Sequence, residues 1–216
     1  MMKVTSETNF DQAYTSGNLR KYQSSNPLKR HLVCRMQNLI VELAVRCCSS
    51  DTVKILDAGC GEGLNAALLE KRLPNAVITL LDESASALEY ARSVCSGRCD
   101  FRCGSVTRLP FRDREFDLVV CTEVLEHLEK LETALDELLR VSKGFVLISV
   151  PDEPWFRIGN MITLKNVKRL GDPPDHLKHW TSHGFRRWIM SCSEGWESHF
   201  YHSFPWQFVL LEHGRK

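Results

Sequence analysis

Beyond residue 50 the chain alternates two apolar patterns. Residues 53–57 (VKILD), 76–82 (AVITLLD), 99–103 (CDFRC), 116–121 (FDLVVC) and 144–150 (GFVLISV) are short apolar or β-rich runs that predict strands. Between them, residues 64–73, 84–95 and 131–141 place apolar positions at helical spacing, with Pro74 closing the first stretch and Ser84 a candidate N-cap for the second. Such alternation is the pattern of βαβ units and a parallel sheet. Pro151 and Pro154 end the fifth run, and residues 151–180, rich in prolines, tryptophans and basic residues, predict an insertion lying as a lid over one end of the sheet. Helical spacing returns near 181–190. Residues 196–201 and 206–211, separated by Ser203, Phe204 and Pro205, predict an antiparallel hairpin on the sheet edge. Residues 27–46 are amphipathic at helical spacing and belong to an expected N-terminal helical flap over 1–50. The expectation is thus an α/β fold in one domain over 1–216: a flap (1–50), a core (51–150), a lid (151–180) and a C-terminal helix and hairpin (181–216).

Composition narrows the class. A chain of 216 residues with 43% hydrophobic and 25% charged positions has the make-up of an ordinary globular domain, which excludes intrinsic disorder, collagen and coiled coil. Lys+Arg 28 against Asp+Glu 27 leaves +1, so no global field holds a polyanion and nucleic acid is not an expected partner. The opening residues lack the apolar run of a secretory signal, and no stretch reaches the ~18 apolar residues of a membrane span. A cytoplasmic protein without stable membrane insertion is expected. Nine cysteines, an odd count without a C-x-x-C pair, read as reduced thiols. Cys95, Cys99 and Cys103 are spaced by four but lack the second pair of a zinc knuckle, so no metal site is expected. These patterns specify no oligomeric state.

The sharpest feature is Ile55-Leu56-Asp57-Ala58-Gly59-Cys60-Gly61-Glu62-Gly63, an apolar strand running into a glycine-rich turn and then a helix. Glycines there permit positive φ and close passage of the backbone by a ligand, while the helix N–H groups favour a negative group, so a nucleotide-like ligand is implied. Asp82 follows Gly63 by 19 residues and ends the second predicted strand, where a carboxylate can accept from ribose hydroxyls. The glycine order departs from the dinucleotide fingerprint G-x-G-x-x-G.

Together these residues resemble the first motif of class I S-adenosylmethionine-dependent methyltransferases. Residues 116–128 (FDLVVCTEVLEHL), preceded by Leu109-Pro110-Phe111, are similar to the fourth-strand segment of the small-molecule, type 11 branch, which contains ubiquinone- and menaquinone-type enzymes. The likeness is strong over about residues 50–150. It implies a Rossmann-like, mostly parallel seven-stranded sheet with helices on both faces, and S-adenosyl-L-methionine as cofactor with S-adenosyl-L-homocysteine as product. Residue by residue, it implies that Asp57 and the backbone of Gly59, Cys60 and Gly61 line the methionine end, that Asp82 holds the ribose, and that Glu83 lies beside the adenine. The Thr122 carbonyl would face the ammonium, and His127 the methionine portion. Where the family often has Gly-Asp this chain has Gly104-Ser105, so adenine recognition leans on Ser105 and the Val106 backbone. Glu123, Glu126 and Glu129 either enter the site or form a solvated face.

The chain lacks the Asp/Asn-Pro-Pro-Tyr segment of amino-group nucleic-acid methyltransferases and the Pro-Cys nucleophile of pyrimidine C5 enzymes, which disfavours base methylation; the resemblance to the small-molecule branch implies a small acceptor. Over 151–187, Arg157, Lys165, Lys168, Arg169, Lys178, Arg186 and Arg187 outnumber Asp152, Glu153, Asp172 and Asp175, which suggests an acidic acceptor. Trp155, Phe156, Ile158, Met161, Ile162 and Leu164 suggest a partly apolar one under a lid helix. His176 or His179 is the candidate general base, with His127 a further candidate. Two alternatives stand beside this reading: a non-catalytic S-adenosylmethionine-binding module, and a peripheral-membrane methyltransferase acting on a lipid-linked acceptor.

Overall fold

Each apolar run becomes a strand and each helically spaced stretch a helix. The structure is a computed structural model that describes residues 24–48, 53–96, 98–162, 169–170 and 176–214. In chain order these form α1 (Pro27–Cys47), β1 (Lys54–Ala58), α2 (Leu64–Arg72), β2 (Val77–Asp82), α3 (Ala85–Val94), β3 (Asp100–Cys103), β4 (Phe116–Thr122), a 3-10 turn (Leu125–His127), α4 (Leu131–Val141), β5 (Ser142–Pro151), α5 (Trp155–Ile162), α6 (Ser182–Cys192), β6 (Trp196–Ser203) and β7 (Trp206–His213).

The strands make one seven-stranded sheet in the order β3-β2-β1-β4-β5-β7-β6. The first five run parallel, and β7 pairs antiparallel with both β5 and β6. The expected hairpin is present, with β6 as the edge and β7 inside the sheet. Its strands extend two residues beyond the sequence expectation at their C-terminal ends, because cross-strand pairing from Trp196↔His213 to Ser203↔Trp206 holds polar residues that carry no apolar signal.

Successive strand residues point to opposite faces, so each central strand feeds two cores. Ile55, Leu80, Leu118, Val120 and Leu147 pack under α1, α2 and α3; Leu56, Leu81, Val119, Cys121, Val146 and Ile148 pack against α4 and α6. From β1 the chain winds outward to β2 and β3, then returns to the other side of β1 as β4. Strand order reverses there, and in open α/β sheets ligands bind in the crevice at the carboxyl ends of the strands flanking such a point.

The first helix among the described residues corrects the flap expectation for 27–47. Met36, Ile40, Leu43 and Ala44 of α1 are fully buried against the sheet, so α1 is a layer of the fold. Its apolar positions recur at three- and four-residue intervals on one face. Asn26 caps it, accepting from the backbone N–H of Leu28 at 3.0 Å and Lys29 at 3.2 Å, ahead of Pro27 in the first turn. Residues 1–23 of the expected flap lie outside the described residues. In the expected lid, α5 exposes Trp155, Ile158, Met161 and Ile162, while Leu164, Lys165, Lys168, Asp172 and Asp175 lie outside the described residues.

Candidate functional site

The crevice is built by the turn leaving β1. Gly59, Gly61 and Gly63 take φ of +76°, +52° and +70°. Gly59 and Cys60 donate their N–H groups to the Leu81 carbonyl at 2.7 and 3.0 Å, which pins the turn to the end of β2. A side chain at Gly59 would put a Cβ 2.5 Å from Val124 Cγ2, and one at Gly63 would put it 2.8 Å from Ala91 Cβ on α3. Gly63 therefore lets two helices approach each other, although its spacing is not that of the dinucleotide fingerprint.

Two acids face this turn. The Asp82 carboxylate accepts from the Gly61 N–H through Oδ2 and from the Ser84 N–H through Oδ1, both at 2.8 Å. Asp57 is 1% exposed, and its Oδ2 accepts no hydrogen bond among the described residues. Burial, then the charge of Asp82, pushes the Asp57 carboxyl up to about 7. The Cys60 thiol is likewise driven far above the ordinary thiol range, by burial and then by Asp57 and Asp82.

At the end of β4, Asn65 Nδ2 donates to Thr122 Oγ1 at 3.1 Å and Gln37 Nε2 to Asn65 Oδ1 at 3.4 Å, so α1 and α2 both reach the crevice. The chain then turns sharply: Glu123 has φ +59° and its N–H donates to the Ser149 carbonyl. Trp206 Nε1 donates to Glu123 Oε2 at 2.6 Å across 83 residues of sequence. Gly59, Cys60, Glu62, Leu64, Asn65, Thr122 and Glu123 line a single pocket.

Just beyond, the structure gathers His127 and His176. Their ring centroids are 5.1 Å apart, His176 stacks on Phe156 at 5.6 Å, and Phe156 meets Trp206 at 6.2 Å. The Glu126 carbonyl accepts from the N–H groups of Leu177 and Lys178 at 2.8 and 3.1 Å, which ties the end of the lid to the 3-10 turn. One ligand atom each from Glu126, His127 and His176 lies within 4.8 Å of the others, a donor set a divalent cation can take. The expectation of no metal site rests on the cysteine spacing alone and does not consider these three residues, which only folding brings together. His179 stands apart from the pair, its Nδ1 3.9 Å from Glu153 Oε1.

The other predicted residues fall at strand ends. Glu83 follows β2 on the surface, and its carbonyl accepts from the Cys103 thiol at 3.6 Å. Ser105 hydrogen-bonds Thr107 Oγ1 at 2.9 Å, and Val106 is buried. Of the basic residues over 151–187, Arg186 stacks over Phe200 at 4.7 Å, Arg187 bonds His183 and Arg157 donates to the Leu170 carbonyl, while Lys178 lies beside the 3-10 turn, its N–H on the Glu126 carbonyl. Of the three acids in doubt, Glu126 is 1% exposed and Glu129 is on the surface. Sequence reasoning missed Glu62, Asn65 and Trp206 as residues of the site. Glu62 and Asn65 had a signal in their place beside the glycine turn; Trp206 had none.

Residues 56–148 match the family described as "Methyltransferase domain". A probable S-adenosylmethionine-dependent methyltransferase of Mycolicibacterium smegmatis is 35% identical over 119 residues, which cover 54% of this chain and 44% of the relative. The mitochondrial ubiquinone biosynthesis O-methyltransferase of Schizosaccharomyces pombe is 37% identical over 98 residues, 42% of this chain and 34% of the relative. The matched stretch thus spans less than half of either relative. In fold, the plantazolicin methyltransferase BpumL, crystallised with an analogue and S-adenosylhomocysteine, superposes with a TM-score of 0.71 over 92% of this chain and 91% of its own, at 16% identity.

Proposed function

We propose that this chain, whose residues 56–148 match a methyltransferase domain, transfers the methyl group of S-adenosylmethionine to a small-molecule acceptor and releases S-adenosylhomocysteine. Asp57 carries the reading. It is a buried acid with an orphaned oxygen, at the strand-order reversal, beside a turn whose glycines admit a ligand. An unpaired buried charge is costly, and a cation repays it. The amino-acid end of S-adenosylmethionine supplies such cations, and Glu62, Asp82 and Glu123 add to the acidic surroundings. Asp57 with the backbone of Gly59, Cys60 and Gly61 would hold that end. Asp82 retains free lone pairs beyond its two backbone bonds and would take the ribose hydroxyls. Glu83, Ser105 and Val106 would border the adenine, and Thr122 and His127 the methionine portion.

When bound, S-adenosylmethionine supplies a methyl already activated by a positive sulfur. The chain then has to align the acceptor, exclude water and, for an oxygen nucleophile, remove a proton. His176, whose ring contacts Phe156 and His127, would take that proton. The aromatic wall of Phe156 and Trp206 favours a partly apolar, aromatic acceptor over a strongly acidic one. A second reading rests on the same cluster: Glu126, His127 and His176 would hold a divalent cation that polarises the acceptor oxygen.

Calorimetry with S-adenosylhomocysteine tests the foundation; no heat of binding overturns the proposal. With an acceptor in hand, His176→Ala should lower kcat by about 10²–10⁴-fold while His179→Ala leaves it near normal. Unchanged turnover in the first removes the base. Loss of turnover in chelator, restored by added divalent cation, favours the second reading. Cofactor binding without product across a screen of phenols, acids and amines would support the non-catalytic module, and co-sedimentation with liposomes would support the lipid-linked acceptor.

A further inference from the structure

Between α2 and the end of α3, the fold assembles a second group of soft donors. Glu70 on α2, Cys95 at the end of α3 and Cys99 just before β3 each present a ligand atom within 4.8 Å of the other two. Cys103, the third member of the four-spaced series, is turned away toward the Glu83 carbonyl. Sequence spacing alone argues against a metal here, since a second cysteine pair is missing; the structure supplies the third ligand from another element.

Glu70 is held in place. Its Oε2 accepts from the Ser96 N–H at 2.7 Å and its Oε1 from the Ser96 hydroxyl at 2.5 Å. Ser96 follows Cys95 directly, so these bonds hold the end of α3 against α2, and both thiols lie beside the carboxylate. Metal-ligating carboxylates are commonly steadied by such outer hydrogen bonds. The Cys95 thiol also donates to the Gly63 carbonyl at 3.6 Å, which joins the group to the glycine turn. All three side chains are partly exposed, which leaves a path for an ion and room for water.

We propose that Glu70, Cys95 and Cys99 form a binding site for a thiophilic divalent cation of the zinc class, with a water as fourth ligand, that fastens α2 to the end of α3 and the start of β3. Two thiolates and one carboxylate suit tetrahedral zinc, whereas calcium and magnesium prefer all-oxygen sites. A cysteine ligates as the thiolate, so binding displaces protons from the cluster.

The test uses the reduced full-length chain and cobalt as a spectroscopic stand-in for zinc. One equivalent of Co²⁺ should produce a thiolate-to-metal charge-transfer band that Zn²⁺ abolishes. Cys95→Ser and Cys99→Ser should each remove the band, Glu70→Gln should weaken binding by about tenfold or more, and Cys103→Ser should leave it unchanged. Zn²⁺ should raise the melting temperature of the wild type and of His176→Ala, and not that of Cys99→Ser. The serine variants change one atom each, and their melting curves without metal report whether they fold. Absence of the band, or a band that persists in the folded Cys95→Ser and Cys99→Ser variants, overturns the proposal. A His176-dependent melting shift without the band assigns the metal to the histidine cluster and overturns it as well.

Discussion

Gly63→Ala isolates the packing that brings α2 against α3. At φ +70° an alanine must adopt the left-handed region, at a cost of about 1–2 kcal/mol. Its Cβ would also lie 2.8 Å from Ala91 Cβ, 3.1 Å from Leu80 Cδ2 and 3.3 Å from Ala91 Cα. Two of these neighbours belong to one short residue with no flexible end to move, so the crowding adds about 1–3 kcal/mol of overpacking. Together the substitution removes about 2–5 kcal/mol, and at roughly 2–4 °C per kcal/mol for a domain of this size the melting temperature falls by about 4–20 °C. Gly195→Ala separates the two terms. Gly195 has φ +81° and nothing within 4 Å of an added Cβ, so it carries the backbone cost alone. Adding Ala91→Gly to Gly63→Ala should return part of the crowding term, less about 1 kcal/mol for glycine inside a helix. Thermal denaturation followed by circular dichroism reads all of these. If Gly63→Ala and Gly195→Ala melt together, the helix contact does not exist as described and the account of the glycine turn is wrong.

Three further outcomes follow from the same geometry. The folded protein keeps a proton on Asp57 up to about pH 7, whereas the unfolded chain releases it near the ordinary aspartate value of 3.8. Between those values the folded state holds the extra proton, so this group's contribution to stability declines as pH rises through the window, by about 4 kcal/mol in all; in urea denaturation at a series of pH values, wild type should lose stability relative to Asp57→Asn over that range, and a constant difference refutes the burial argument. Asp82→Asn keeps the shape but weakens acceptance from Gly61 and Ser84 and removes the charge, so affinity for S-adenosylhomocysteine should fall about 10–100-fold by calorimetry. Met36→Ala opens a hole beneath α1 and should cost about 2–5 kcal/mol in denaturant titration, whereas the same change in a loose flap would cost almost nothing.

What the sequence determined by itself is local. Period-two and period-3.6 patterns, turn residues and a short interval between Gly63 and Asp82 are properties of neighbouring residues, and they predicted the five parallel strands, the hairpin and the glycine turn with its acid. The same locality explains the errors. The pattern of α1 marked a helix but could not say whether its apolar face met a sheet, and Ser142 and Lys143 fall between the predicted helix and strand although β5 begins at Ser142, paired with Phe116. Tertiary structure alone decided the convergences. Trp206 reaches Glu123, His176 comes to His127 while His179 goes to Glu153, and Glu70 joins Cys95 and Cys99, each across a separation no periodic pattern spans. It also decided which acids are buried. Asp57 and Glu126 differ little from Glu129 as residue types, but dehydration depends on what the rest of the chain packs around a carboxylate, and that is set only once the sheet has closed over its helices.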